Sequence, residues 1–414
     1  MRVPQLSDSP ADPSAVGPLN GVTVIEMGNF IAAPSAGRLL AEFGATVIKI
    51  ERPRGGDELR SWRSYNDETS LLFRLIGRNK KSITLDLRSE RGQDIARHLL
   101  RSADVLLENF RPGTLERWGL GPDALQAENP QLIVTRISGY GQSGPYRDRV
   151  GFGGVAEALS GIRGLAGYPG MPPVRVGVSL ADSLAGLYAV IGTLMSLLHR
   201  NRGDGAGEVV DVALYEAAFS LTESLLPDYE AFGVTRGPSG STVPGVVPSN
   251  SYPCADGRYV VIGGNSNGIF QRLMQLIDRR DLAEAADLQH NQGRVARATE
   301  IEEAISTWTA TRSLDEATNA LDEAAVPCGP IYTASEIATD PHFESRAMRE
   351  RRHVDIGEGQ QTEVSFPGVV PKLSRRPGAV TSLGPELGAH TAEVLAGLGF
   401  EATEREQLRA DGVI

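Results

Sequence analysis

Residues 21–51 read GVTVIEMGNFIAAPSAGRLLAEFGATVIKIE, and this stretch decides the fold class. GVTVIEM (21–27) and ATVIKIE (45–51) are short apolar runs rich in β-branched residues, each the length of a buried strand. Between them PSAGRLLAEFG (34–44) carries proline in its first turn and glycine at its stop, which predicts a helix. Strand, helix and strand in about 30 residues form a βαβ unit. The pattern repeats outward through SITLDL (82–87), a helix to Leu100, ADVLLENF (103–110), helices near Leu115 and Asp123, and LIVTRIS (132–138). Such alternation predicts an α/β fold, a parallel sheet with helices on both faces.

Farther along, residues 182–201 predict the clearest helix. Leu184, Leu187, Tyr188, Ile191, Leu194, Met195 and Leu198 fall on one broad apolar face. The strand EVVDVAL (208–214) and a helix to about Phe232 follow. Composition then shifts: residues 233–253 hold four glycines, four prolines and six serines or threonines, which predicts a linker or lid. A smaller α/β unit is expected next, with the strand RYVVIGG (258–264) and helices near 268–277, 300–309 and 314–325. The expected layout is a disordered tail (1–18), a large domain (19–232), the lid with a small domain (233–340), and a segment (341–414) that returns to the large domain. That segment carries a basic stretch at 346–352 and a final helix near 391–398.

Length and charge narrow the function classes. A chain of 414 residues, 41% hydrophobic, builds sizeable cores in two or three domains. Its 41 basic against 52 acidic residues give a net charge of −11, which excludes a general nucleic-acid binder. Cys254 and Cys328 make no disulfide framework, and six scattered histidines give no metal-ligand spacing. No signal peptide is recognisable at the N-terminus. Residues 184–198 fall short of the ~20 needed to span a membrane, which predicts a buried helix in a soluble protein, and the two cysteines predict a reducing, cytoplasmic setting.

The first βα turn, GNFIAAPSAG, lacks G-x-G-x-x-G, so a typical dinucleotide enzyme is not expected. Its place still matters, because open parallel sheets bind ligands at the carboxyl ends of their strands. Arg52, Arg54, Arg60, Arg63, Arg78, Lys80, Lys81, Arg111 and Arg117 cluster early in the chain. They form either a site for a small polyanion or a solvated face. Asp182, in the first turn of the apolar helix, is either an ordinary first-turn carboxylate or a reactive one exposed at a cleft. No G-x-S-x-G nucleophile elbow appears. Cys328, between two prolines, reads as a packed residue, and His390 as a helix cap or packing residue.

Taken together, GATVIKIERP (44–53), RNKKSITLDL (78–87), ADVLLENFRPGTLERWGL (103–120), ISGYGQSGPY (137–146), ADSLAGLYAVIGTLMSLLHR (181–200), VPCGPI (326–331) and LGAHTAEVL (387–395) resemble the family III CoA-transferases, the CaiB/BaiF family. The resemblance runs from about Leu19 to the C-terminus. It implies a large Rossmann-like domain with a smaller one, and two identical chains interlocked as linked rings. It implies that coenzyme A or acyl-CoA binds as a substrate with a small carboxylic acid, with no tightly bound cofactor and no metal. It places the catalytic aspartate at Asp182. It places Arg52 and Arg117 on the CoA phosphates, and Phe30, Ala32, Ile76, Arg78, Lys80, Asn109 and Tyr140 along the CoA site.

The implied chemistry is covalent: an aspartyl anhydride, then an aspartyl-CoA thioester. Such an anhydride requires water to be kept out, and residues 233–253 are the expected cover. Formyl-CoA transferases carry glutamine where Ile31 stands, glutamate at Gly141, and four glycines where this chain reads STVPGVVPSNSYP. NSYPCADGRYVVIGGN (250–265) looks closer to members that use succinyl-CoA with dicarboxylates. Carnitine-type transfer is a further alternative. A racemase would need a histidine where Phe152 stands, and none lies between His98 and His199. A non-catalytic CoA-binding protein is disfavoured by the presence of Asp182.

Overall fold

A computed structural model describes residues 17–63, 69–357 and 359–414. The expected tail, up to residue 16, lies outside the described residues. In chain order the first part comprises β1 (Thr23–Met27), α1 (Ala32–Glu42), β2 (Thr46–Glu51), a 3-10 turn (Glu58–Arg60), α2 (Leu71–Ile76), β3 (Lys80–Thr84), α3 (Glu90–Leu100) and β4 (Val105–Glu108). Next come α4 (Thr114–Arg117), α5 (Pro122–Glu128), β5 (Ile133–Ser138), α6 (Gly153–Leu159), α7 (Ile162–Leu165), α8 (Leu180–Arg202), β6 (Val209–Ala213), α9 (Leu214–Phe219) and α10 (Leu225–Phe232).

The six strands form one parallel sheet in the order β3-β2-β1-β4-β5-β6. This is the doubly wound order, whose switch point lies between β1 and β4. Neighbouring residues of a strand enter opposite cores, as the period of two demands. Ile25, Ile48, Ile83, Leu106 and Val134 pack with α3 on one face. Val24, Val47, Val105, Leu107 and Ile133 pack with α1 and α8 on the other. Each such side chain contributes about 1.5–3 kcal/mol when fully buried. After α1, Gly44 takes φ +101°, a left-handed turn that costs glycine little and lets the chain re-enter as β2.

The chain divides into two compact units, one of residues up to 162, 176–230 and 344–414, the other of 163–175 and 231–343. The second holds β7 (Ser249–Pro253), β8 (Tyr259–Gly263), α11 (Asn267–Leu276), α12 (Arg280–Glu284), α13 (Asn291–Ala296), α14 (Ala298–Thr309), α15 (Leu314–Glu323), β9 (Cys328–Pro330) and α16 (Ala334–Thr339), and the boundary runs through α17 (Pro341–Ser345). Its three-stranded antiparallel sheet packs Val260 and Ile262 against Phe270, Leu273, Ile301 and Ile305. Ser313 and Glu316 cap α15 reciprocally. Cys328 sits against Asp322, and burial with that carboxylate pushes its thiol up to about 11, so it is a packed thiol.

The last segment contributes an antiparallel hairpin, β10 (Arg349–Asp355) with β11 (Gln361–Pro367), then α18 (Thr391–Gly397) and α19 (Ala402–Ala410). The sequence reading anticipated only α18. His390, just before α18, accepts the Ser82 amide on Nδ1 (3.2 Å). The terminal Val413 and Ile414 are buried in the first core.

Helix α8 requires two corrections. It spans 23 residues and contains an 18-residue window of mean hydropathy 1.5, so length and composition alone would allow a membrane span. Nor is its large apolar face the covered one. Leu187, Tyr188, Ile191, Met195 and Leu198 are each 40–65% exposed. The buried residues are Ala181, Ala185, Gly186, Ala189, Thr193, Ser196 and Leu197, all small except the last. Small side chains let the helix backbone come close to α1: a Cβ on Gly186 would stand 2.9 Å from the Ala32 carbonyl oxygen.

Candidate active site at the sheet switch point

The loop from Gly28 to Ile31 leaves β1 at the switch point and is held by side chains from three neighbours. Asn109, following β4, accepts the Asn29 amide on Oδ1 (2.9 Å) and donates Nδ2 to the Asn29 carbonyl (2.8 Å). Asp57 accepts the Phe30 amide on Oδ1 (3.0 Å). Lys49 donates to the Gly28 carbonyl (2.5 Å) and also meets Glu26 (3.0 Å) and Asp57 Oδ2 (2.9 Å). These contacts fix Phe30 at φ +62°, a conformation costly for a bulky residue unless its surroundings impose it.

The Phe30 ring then meets Trp62 (5.3 Å between centroids) and, edge-on, Phe152 (5.6 Å). Phe152 precedes α6. The next residue, Gly153, lies against the Asp182 carboxylate, and Gly151 lies on the Tyr140 ring. Asp182 is half-buried in the first turn of α8, one turn before the Gly186 contact with Ala32. Phe30, Ala32, Asn109, Tyr140 and Asp182 are thereby linked through one short series of contacts. Tyr140 also borders a cavity of about 480 Å³ with Tyr146, Leu159, Tyr215 and Phe219.

The remaining expected residues divide in two. Arg52 and Arg117 are exposed on segments that follow β2 and β4. Arg52 meets Glu58 (2.8 Å) and the Gly56 carbonyl, and Arg117 meets Thr114 Oγ1 (3.0 Å). Ile76, Arg78 and Lys80 are interior. Ile76 packs with Ile31, Leu59 and Phe73. Arg78 is buried on Glu42. Lys80 donates to the Pro34 carbonyl (2.7 Å) and meets Glu26 Oε2 (2.7 Å), beneath the loop. Burial pushes its ammonium down to about 8, although Glu26 works against the shift.

Sequence reasoning missed Lys49, Glu26 and Asp57. The signal was present: the apolar strands TVIEM and TVIKIE carry Glu26 and Lys49 at paired positions. Burial disfavours the charged Lys49, but the Asp57, Glu26 and Glu51 carboxylates outweigh it and raise its pKa.

Fold and site together define a doubly wound α/β protein whose switch-point loop sits beside a half-buried carboxylate. Comparison with known proteins assigns the family. The family model "CoA-transferase family III" matches residues 19–391. A succinyl-CoA–D-citramalate CoA-transferase of Chloroflexus aurantiacus is 44% identical over 400 residues, 96% of this chain and 98% of that protein. The α subunit of a succinyl-CoA–L-malate CoA-transferase from the same organism is 39% identical over 96% of this chain and 92% of its own length. A crystal structure of a CaiB/BaiF family protein from Brucella suis superposes with a TM-score of 0.80 at 32% identity, covering 92% of this chain and 100% of that one. The chain belongs to CoA-transferase family III, and it is a CoA-transferase.

Proposed function

We propose that this enzyme moves CoA from succinyl-CoA to a small dicarboxylic acid, with Asp182 as nucleophile. The observation that carries the reading is the half-buried Asp182 carboxylate, held in the first turn of α8 against Gly153 and linked to the switch-point loop. The donor and acceptor classes draw support from the two relatives named for succinyl-CoA with citramalate or malate. The Asp182 carboxylate attacks the thioester carbonyl and expels CoA thiolate, giving a mixed anhydride. The thiolate then attacks the aspartyl carbonyl, releasing succinate and leaving an aspartyl-CoA thioester. The acceptor carboxylate attacks that thioester and expels the thiolate, forming a second anhydride. The thiolate then attacks the acceptor carbonyl of the anhydride, giving the new acyl-CoA and freeing the Asp182 carboxylate. Thioester energy is conserved, and each step is nucleophilic catalysis by a carboxylate.

Incubation with succinyl-CoA and a panel of carboxylic acids, with products followed by mass spectrometry, tests the substrate classes. New CoA esters of dicarboxylates are expected; esters of monocarboxylates alone would defeat the acceptor assignment. In the same assay Arg52→Ala or Arg117→Ala should raise the KM for acyl-CoA. Loss of a charge-assisted contact to phosphate is worth about 1.5–3 kcal/mol, or roughly 10- to 100-fold. Unchanged KM in both variants would remove these residues from the phosphate site.

The chain acts as a homodimer in this reading, interlocked as the family resemblance implies. The exposed apolar face of α8, with Leu187, Ile191, Met195 and Leu198, supports a second copy as its cover. Light scattering at twice the chain mass is expected, and a monomer at micromolar concentration would contradict it.

A further inference from the structure

Gly153 and the Asp182 carboxylate compete for one space. A Cβ built on Gly153 would stand 1.9 Å from Asp182 Oδ2, 2.7 Å from Cγ and 3.1 Å from Oδ1. No backbone requirement explains glycine here. Gly153 is not among the residues with positive φ, and it opens a helix, where alanine is the better former. Its neighbours are tied: Phe152 packs edge-on against Phe30, and a Cβ on Gly151 would stand 3.1 Å from the Tyr140 ring. Helix α8 is tied as well, by the close approach of Gly186 to the Ala32 carbonyl. With both backbones fixed, a side chain at 153 and the carboxylate at its present position exclude each other.

We propose that Gly153 is a positioning residue, and that its missing side chain is the seat holding the Asp182 carboxylate in place to attack the thioester. The proposal rests on the reading of Asp182 as nucleophile. Contact at about 3.5 Å would require Oδ2 to retreat by about 1.6 Å from an alanine methyl. A displacement near 1 Å at a reacting group costs about 100-fold in rate.

The test compares Gly153→Ala, Asp182→Ala and the double variant by steady-state kinetics with succinyl-CoA and by thermal unfolding. Gly153→Ala should lower kcat by about 10- to 100-fold with the KM for succinyl-CoA within about threefold. It should also lower the melting temperature when Asp182 is present and not when residue 182 is alanine, because the clash has then gone. Wild-type turnover in Gly153→Ala, or the same melting shift in both backgrounds, would overturn the seat. If Gly153→Ala does not fold, the double variant decides: a folded double supports mutual exclusion, and an unfolded one refutes it. Exchange surviving in Asp182→Ala is a separate outcome. It removes the nucleophile assignment, and the catalytic role of the seat with it, while the melting comparison still reports on the contact.

Discussion

Asp182→Ala should abolish CoA exchange, with a loss of about 10³-fold or more, while the protein still folds and binds acyl-CoA. The size follows from the role. Without the carboxylate there is nothing to form the anhydride, and thioester and acceptor acid do not exchange CoA directly at a useful rate. Retention of binding follows from position, because the residues proposed to contact CoA sit on other elements: Phe30 and Ala32 after β1, Arg52 after β2, Asn109 after β4 and Tyr140 after β5. Folding should survive because Asp182 is only half-buried in a helix anchored by Ala181, Ala185, Gly186 and Ala189. Exchange rates of wild type and variant, measured beside CoA titration of both, check the prediction. A variant within tenfold of wild type would take Asp182 out of the chemistry.

Lys49→Met should be the most destabilising single change near the site. The Lys49 ammonium is buried between Asp57 Oδ2 (2.9 Å) and Glu26 Oε1 (3.0 Å) and holds the Gly28 carbonyl. Methionine keeps the chain volume and removes the charge, leaving Asp57 and one oxygen of Glu26 buried without their cation. Breaking a buried ion pair from one side costs about 3–5 kcal/mol. For a unit of this size that is a fall of roughly 10 °C in melting temperature. Transfer should fall as well, because Asp57 loses the charge that orients it toward the Phe30 amide (3.0 Å). Thermal unfolding is the readout, and a melting temperature within about 2 °C of wild type would refute the assignment.

What could be read in the sequence follows from what burial does to composition. Strands β1, β2, β4 and β5 are covered on both faces, so they are near-continuous apolar runs and were legible. Hairpin β10–β11 was not. Burial does alternate along both strands, but only Val354 in RERRHVD and Phe366 in QTEVSFP are buried, and the other inner positions include Glu350, Arg352 and Thr362, so few apolar residues mark the period. Helix α8 shows a different limit. Periodicity told which residues share a face, but the covered face was the one of small residues, chosen by close approach to α1.

The candidate site was legible to the same uneven degree. Asp182, Asn109 and Phe30 stood in recognisable segments, and the structure connects them through α6 and the switch-point loop. Arg78 and Lys80 stood in one as well, yet their charges are spent inside on Glu42 and Glu26. A basic residue in a sequence does not reveal whether its partner is a ligand or a buried carboxylate. Gly153 carried no signal at all, because its role depends on a side chain 29 positions away that only the folded chain brings to it.

Covalent attachment of CoA to Asp182 is the most direct thing to measure. The protein is mixed with succinyl-CoA without acceptor, quenched in acid and digested, and the peptide containing Asp182 is weighed. It should carry CoA as a thioester on Asp182, discharged when a dicarboxylate acceptor is added before the quench. Dicarboxylate CoA esters forming at full rate while that peptide stays unmodified at every quench time would contradict the mechanism.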